Sequence, residues 1–340
     1  MRVTIKLISL WLWLGLFSCK SIDKQLSDID AGQNQKTKTN YGHNIILAVD
    51  LSNRILNDRK YDDPEIVRLV TANLKTLFQQ AIDVGINDKF YLTTINDKDF
   101  DKQKFSDSIF KIDLTSFKTN AVKISDYLHH NDDNSNSLKH DVDLLNSTFK
   151  QFYEDLKKPN QQNGADLWDF MKDKLSYPVI DTSSKTYAFE GANITNKYEN
   201  YIILITDGYI EAGRYASNPD MRENNKFRFL SEQTVNDFRS ALKRSQFKEA
   251  KDFFVQEKYG IMPVQNNYLT NSKILVIELY DRSKKNGVST ANPTDKEILT
   301  LFWRDWLINS GFRESNITLK ETFNNRQDLD KTLKDFLGVK

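Results

Sequence analysis

Three short apolar runs constrain the fold of this chain more than any other feature: H-N-I-I-L-A-V at His43–Val49, Y-I-I-L-I at Tyr201–Ile205 and K-I-L-V-I-E-L at Lys273–Leu279. Each is too short for a buried helix and lacks the polar alternation of a half-exposed strand. Such runs are strands covered on both faces, as in a parallel sheet between helices. Amphipathic stretches separate them. Pro64 opens one, with Ile66, Leu69, Val70, Leu74, Leu77, Phe78 and Ile82 at helical spacing and Gly85 as its stop. Helical patterns recur at about 120–129, 141–157, 166–175, 231–258, 296–309 and 328–337. Weaker strand patterns lie at 90–95, 108–114 and 317–319, and a hairpin is expected between Tyr177 and Gly191. The alternation predicts an α/β fold: a doubly wound, mostly parallel sheet flanked by helices, a three-layer sandwich with a helical insertion at about 209–272.

The first eighteen residues stand apart. Arg2 and Lys6 precede the apolar run Leu7–Phe17, which is shorter than the ~20 residues that span a bilayer but suits an export signal. The run closes in Leu16-Phe17-Ser18-Cys19, which resembles the bacterial lipobox. Residues 1–18 therefore read as a lipoprotein signal peptide and Cys19 as the lipidated residue. Residues 19–41 are polar and read as a tether, with 42–340 as the folded domain. The expected location is the bacterial cell envelope, in the outer membrane and facing the periplasm or the surface, held to the membrane by lipid.

Cys19 is the one cysteine in the chain, which excludes a disulfide framework and a multi-cysteine zinc site. The chain has 48 basic and 47 acidic residues, and losing Arg2 and Lys6 with the leader leaves a net charge of −1. That balance gives no footprint for nucleic acid. Phosphate-cradling glycine loops and a nucleophile elbow are absent from the sequence. A D-x-D phosphatase motif is broken by Ser52. His129, His130 and His140, with Asp132, Asp133, Asp141 and Asp143, fall in a very polar stretch that reads as a solvated loop.

In open α/β sheets ligands bind beyond the carboxyl ends of the strands, and two of the buried runs end there in acids. Asp50-Leu51-Ser52-Asn53-Arg54 follows the first, and Thr206-Asp207-Gly208 follows the second. Asn163-Gly164-Ala165-Asp166-Leu167-Trp168-Asp169-Phe170 looks like the entry to a loop and helix. Together these segments resemble the von Willebrand factor type A (vWA) fold, a Rossmann-like sandwich, and its metal-ion-dependent adhesion site. There D-x-S-x-S, a loop written G-G-T-N-[IL]-x-x-A and a D-G turn supply oxygen ligands to a divalent cation. Two donors are replaced in this chain: Arg54 stands at the second serine and Ala165 at the threonine. Arginine donates and cannot ligate a cation.

The resemblance implies a site of Asp50, Ser52, Arg54, Asp166 and Asp207, with Arg54 neutralising Asp50 and Asp207 or meeting an acidic group of a partner. No cofactor is expected, the alternative being Mg²⁺ or another divalent cation on Asp50, Ser52 and Asp207. The expected function is non-enzymatic: an envelope lipoprotein binding a protein partner through this edge. The alternatives are a cation-dependent hydrolase or phosphoesterase on the same acids, and a purely architectural envelope component.

Overall fold

A computed structural model describes residues 37–339 apart from 57–59, 83–84, 96–106, 119, 131–135, 159–164, 191, 212–221 and 286–287. Residues 1–18, expected to be a signal peptide, Cys19, most of the expected tether, and Asn163 and Gly164 lie outside the described residues. Residues 40–184 and 196–340 form one compact unit, and 185–195 with 37–39 form another.

The main sheet contains β1 (Thr37–Val49), β2 (Lys89–Thr94), β3 (Lys111–Asp113), β4 (Ala192–Ile205), β5 (Ser272–Leu279) and β6 (Ile317–Glu321). Their order across the sheet is β3-β2-β1-β4-β5-β6, and the strand Ser184–Phe189 pairs with β4 off this path. The chain starts in the middle, winds out to β3, returns beside β1 and winds out the other way, as in doubly wound sheets. β2 runs parallel to β1, β4 to β5 and β5 to β6, while β3 is an antiparallel edge. Side chains bond between β1 and β4 at Asn40–Asn196 and Asn44–Asn200, and between the residues just beyond them at Asp50–Thr206, always 156 residues apart. That constant offset means β1 and β4 also run parallel.

In chain order the helices are α1 (Asp63–Thr71), α2 (Leu74–Ile82), α3 (Ala121–His129), α4 (Leu138–Leu156), α5 (Leu167–Asp169), α6 (Glu232–Arg244), α7 (Ala250–Gln256), α8 (Asp295–Asn309) and α9 (Arg326–Leu337). Successive strand side chains point to opposite faces, so β1 feeds two cores. Ile45, Leu47 and Val49 pack with α1–α4 and α9. Ile46 and Ala48 pack with α5–α8, where Trp303 and Trp306 are wholly buried. The fold is therefore the expected three-layer α/β sandwich. Among the described residues no helix is long and apolar enough to cross a membrane.

Several boundaries differ from the sequence pattern for local reasons. The helix expected across 66–82 is two helices, because buried Asn73 donates its side-chain amide back to the Leu69 carbonyl at 2.8 Å and offers the backbone an alternative to the helix. The pattern at 231–258 breaks similarly: Ser245 Oγ donates to the Leu242 carbonyl at 2.8 Å and accepts from the Phe247 N–H at 3.2 Å. The insertion also holds a small sheet from Arg222–Glu223, Lys226–Phe227 and Gly260–Ile261. The expected hairpin comes later, joining Ser184–Phe189 to β4. His43 lies inside β1, not at its start.

Candidate functional site

β1 and β4 are neighbours at the point where the strand order reverses, so the residues after them emerge side by side at the carboxyl edge. The Asp50 N–H donates to the Ile205 carbonyl at 2.9 Å and ties the two strand ends together. The Asp50 side chain is fully buried. Its Oδ1 accepts from the Ser52 N–H at 2.9 Å, the local turn chemistry of aspartate. Its Oδ2 accepts from the Thr206 hydroxyl at 2.8 Å. Burial pushes the Asp50 carboxyl above the usual carboxylate range; Arg54 opposes that shift and Asp207 adds to it.

Arg54 comes from the 3₁₀ turn Asn53–Leu56 and is buried. Its Nη2 donates to Asp63 Oδ2 at 3.0 Å and to the Ile205 carbonyl at 3.1 Å. Its Nε stands 3.7 Å from Asp50 Oδ2, an ion pair longer than a hydrogen bond. One guanidinium thus compensates Asp50 and Asp63, the first residue of α1.

Asp207 has a different cation. Its Oδ1 accepts from the Tyr209 N–H at 3.1 Å and its Oδ2 from Arg282 Nη2 at 2.9 Å. Arg282 Nη1 reaches Glu211 at 3.0 Å and Glu232, at the start of α6, at 3.3 Å. The guanidinium sits 3.9 Å from the centre of the Tyr209 ring, close enough for a cation–π contact. The Tyr209 hydroxyl in turn donates to Asp295 at 2.6 Å, and Asp295 is paired with Arg239.

Asp166 caps α5, accepting from the Asp169 N–H at 3.0 Å. Arg228 holds it at 2.6 Å, lies 2.9 Å from Asp169 as well, and stacks 5.0 Å from the Trp168 ring centre. Burial raises the Asp166 carboxyl, and the charges acting on it are Arg228 and Asp169. Asp50 responds to Arg54 and Asp207. The fold therefore brings Asp50, Ser52, Arg54 and Asp207 together, while Asp166 belongs to a separate pair.

Arg54 does not stand between Asp50 and Asp207, where the sequence placed it, and its burial keeps it from meeting a partner. Three carboxylates have three arginines: Asp50 with Arg54, Asp166 with Arg228, Asp207 with Arg282. Sequence reasoning missed Asp63, Arg228 and Arg282. Arg282 had a signal, since Asp281-Arg282 lies just beyond the third buried run and so at the same edge. Arg228 had none.

The donor set does not suit a divalent cation. Such an ion needs several oxygen ligands, yet position 54 is a guanidinium and Ala165 offers a buried methyl. An ion on Asp207 would meet Arg282, which already spans three carboxylates. Among the described residues no group of three or more His, Cys, Asp or Glu is arranged to hold a metal. The histidines of the polar stretch make separate local contacts: His129 with the Ser125 carbonyl and His130 with Asp126. Asp141 accepts from Tyr127, and Asp143 pairs with Lys139. Asp132 and Asp133 lie outside the described residues.

No protein-family model matches the chain, and no curated protein matches it. The solved structures similar to this chain include two at 13% identity. Proximal thread matrix protein 1 from the mussel byssus aligns over 89% of this chain and 49% of its own, with a TM-score of 0.29. The pilus adhesin SpaC from Lactobacillus rhamnosus GG aligns over 90% of this chain and 31% of its own, with a TM-score of 0.33. This chain thus spans half or less of either protein.

Proposed function

We propose that this chain is a lipid-anchored protein of the bacterial cell envelope whose vWA-like sheet binds a protein partner through its carboxyl edge without a divalent cation. The observation that carries the reading is Arg282. Its partly exposed guanidinium joins Asp207 at the end of β4 to Glu211 and Glu232. Charges held in place before encounter favour specific, steered association. One arginine shared by three carboxylates leaves this patch net acidic, and Glu232 is its most exposed member. The partner is therefore expected to present lysine or arginine here.

Cross-linking in intact cells with wild type, Glu211→Lys/Glu232→Lys and Lys331→Glu tests this. The expected result is a partner captured by wild type and Lys331→Glu, in EDTA as well as in Mg²⁺, and lost with the double variant. A partner list unchanged by the double variant would refute the reading.

A further inference from the structure

The hairpin formed by Ser184–Phe189 and the start of β4 has an unusual surface. Every residue of Ser184–Phe189 is exposed, including Tyr187 at 45% and Phe189 at 55%. The Thr186 and Thr195 hydroxyls bond across the ribbon at 2.9 Å, which puts these two residues on one face. Because side chains alternate, Tyr187 and Phe189 share the opposite face, with Ile194 on that side of the other strand. The ribbon is amphipathic, polar with threonines on one side and aromatic on the other. A two-stranded ribbon gains little stability by itself, and two half-exposed aromatics on one face of it offer an apolar surface that another phase can cover.

The surrounding chain indicates which phase. Residues 185–195 belong to the same compact unit as Thr37–Thr39, the first described residues. Cys19 lies only 18 positions before Thr37, a segment that reaches at most roughly 60 Å however it is arranged. Once Cys19 carries lipid, the start of β1 and the ribbon beside it stay within that reach of the bilayer. Tyrosine beside phenylalanine, with Lys185 in the same strand, is the composition that settles at a membrane interface. A second weak membrane contact adds to an anchor by raising the local concentration.

We propose that the Tyr187/Phe189 face of this hairpin rests in the interface of the bilayer to which the chain is tethered. The inference rests on the lipid-anchored reading given above. It is tested with full-length chain purified from membranes with its native modification and reconstituted in phosphatidylethanolamine/phosphatidylglycerol vesicles. Acylated Cys19 leaves no free thiol, so Glu190→Cys and Lys331→Cys each carry a single fluorophore. Vesicle flotation is compared with Cys19→Ser, and mass spectrometry reads the acyl chains. Circular dichroism confirms that the labelled and substituted chains are folded.

The expected result is Cys19-dependent flotation, with aqueous iodide quenching at position 190 about threefold or more weaker than at position 331. Quenching at 190 should recover when Tyr187→Ser and Phe189→Ser are added. Flotation with equal quenching at both sites, or shielding that survives the double serine change, overturns the hairpin contact and leaves the anchor standing. A chain without acyl groups that floats no better than Cys19→Ser removes the anchor, and the hairpin proposal with it.

Discussion

Arg282 donates to Asp207 at 2.9 Å from beyond the end of β5, and this contact gives the second acid of the edge a cation of its own. Arg54 does the same for Asp50 from within the loop after β1. The two arginines differ in burial, which sets what each contributes. Arg54 lies between two buried carboxylates with its side chain 1% exposed, whereas Arg282 keeps 23% of its side chain in solvent.

Removing one partner of a buried ion pair costs about 3–5 kcal/mol, because the other charge stays behind. Arg54→Ala strands Asp50 and Asp63 and is expected to cost that much in urea unfolding. Arg282→Ala leaves the buried Asp207 its backbone donor and takes away a partly exposed side chain, which opens the carboxylate to water, so about 1–2 kcal/mol is expected. Equal losses for the two variants would contradict the assignment of Arg54 as the buried counter-charge.

Gly208 has φ 89° and its carbonyl accepts from Trp303 Nε1 at 2.8 Å. A Cβ there would lie 2.6 Å from Leu279 Cδ2. Gly208→Ala therefore combines a backbone penalty with a clash and is expected to cost about 2 kcal/mol or more. Gly338 has φ 71° and open space around it, so Gly338→Ala isolates the backbone share, about 1–2 kcal/mol. Thermal unfolding separates the two, and an equal loss in both would show that the contact with β5 is not tight.

His43 bonds Asp88 through its ring at 2.9 Å, facing Glu199 and Lys273 as well. Burial and Lys273 pull the imidazole down, but Asp88 and Glu199 outweigh them and its pKa rises above 6.5. A raised folded pKa gives stability that is full below the unfolded value and lost as pH rises through the folded one. Asp88, raised by burial, acts in the same sense at lower pH. Urea midpoints should therefore fall as pH rises above about 6.5 in wild type and change less in His43→Gln. Parallel curves for the two proteins would rule out this pair as the source.

The layered fold was legible because β1, β4 and β5 are buried on both faces and carry unbroken apolar runs. Asp50 and Asp207 were legible because strand ends mark the ligand edge. Arg282 was harder to assign, since its partner lies 75 residues away and only the strand order brings them together. Arg54 was misplaced because spacing shows which loop a side chain leaves but not that Asp63, at the start of α1, draws it inward. The breaks at Asn73 and Ser245 were hidden for a related reason: apolar periodicity continues across both, and one polar side chain bonding to nearby backbone ends the helix.

Arginines pair with both acids at the carboxyl edge of this sheet, an arrangement that leaves too few oxygen donors for a divalent cation. Calorimetric titration of Mg²⁺ into the full chain shows whether an ion binds there. No saturable heat is expected through the millimolar range, for wild type and Asp207→Ala alike. A saturable isotherm in wild type that Asp207→Ala abolishes would contradict that arrangement.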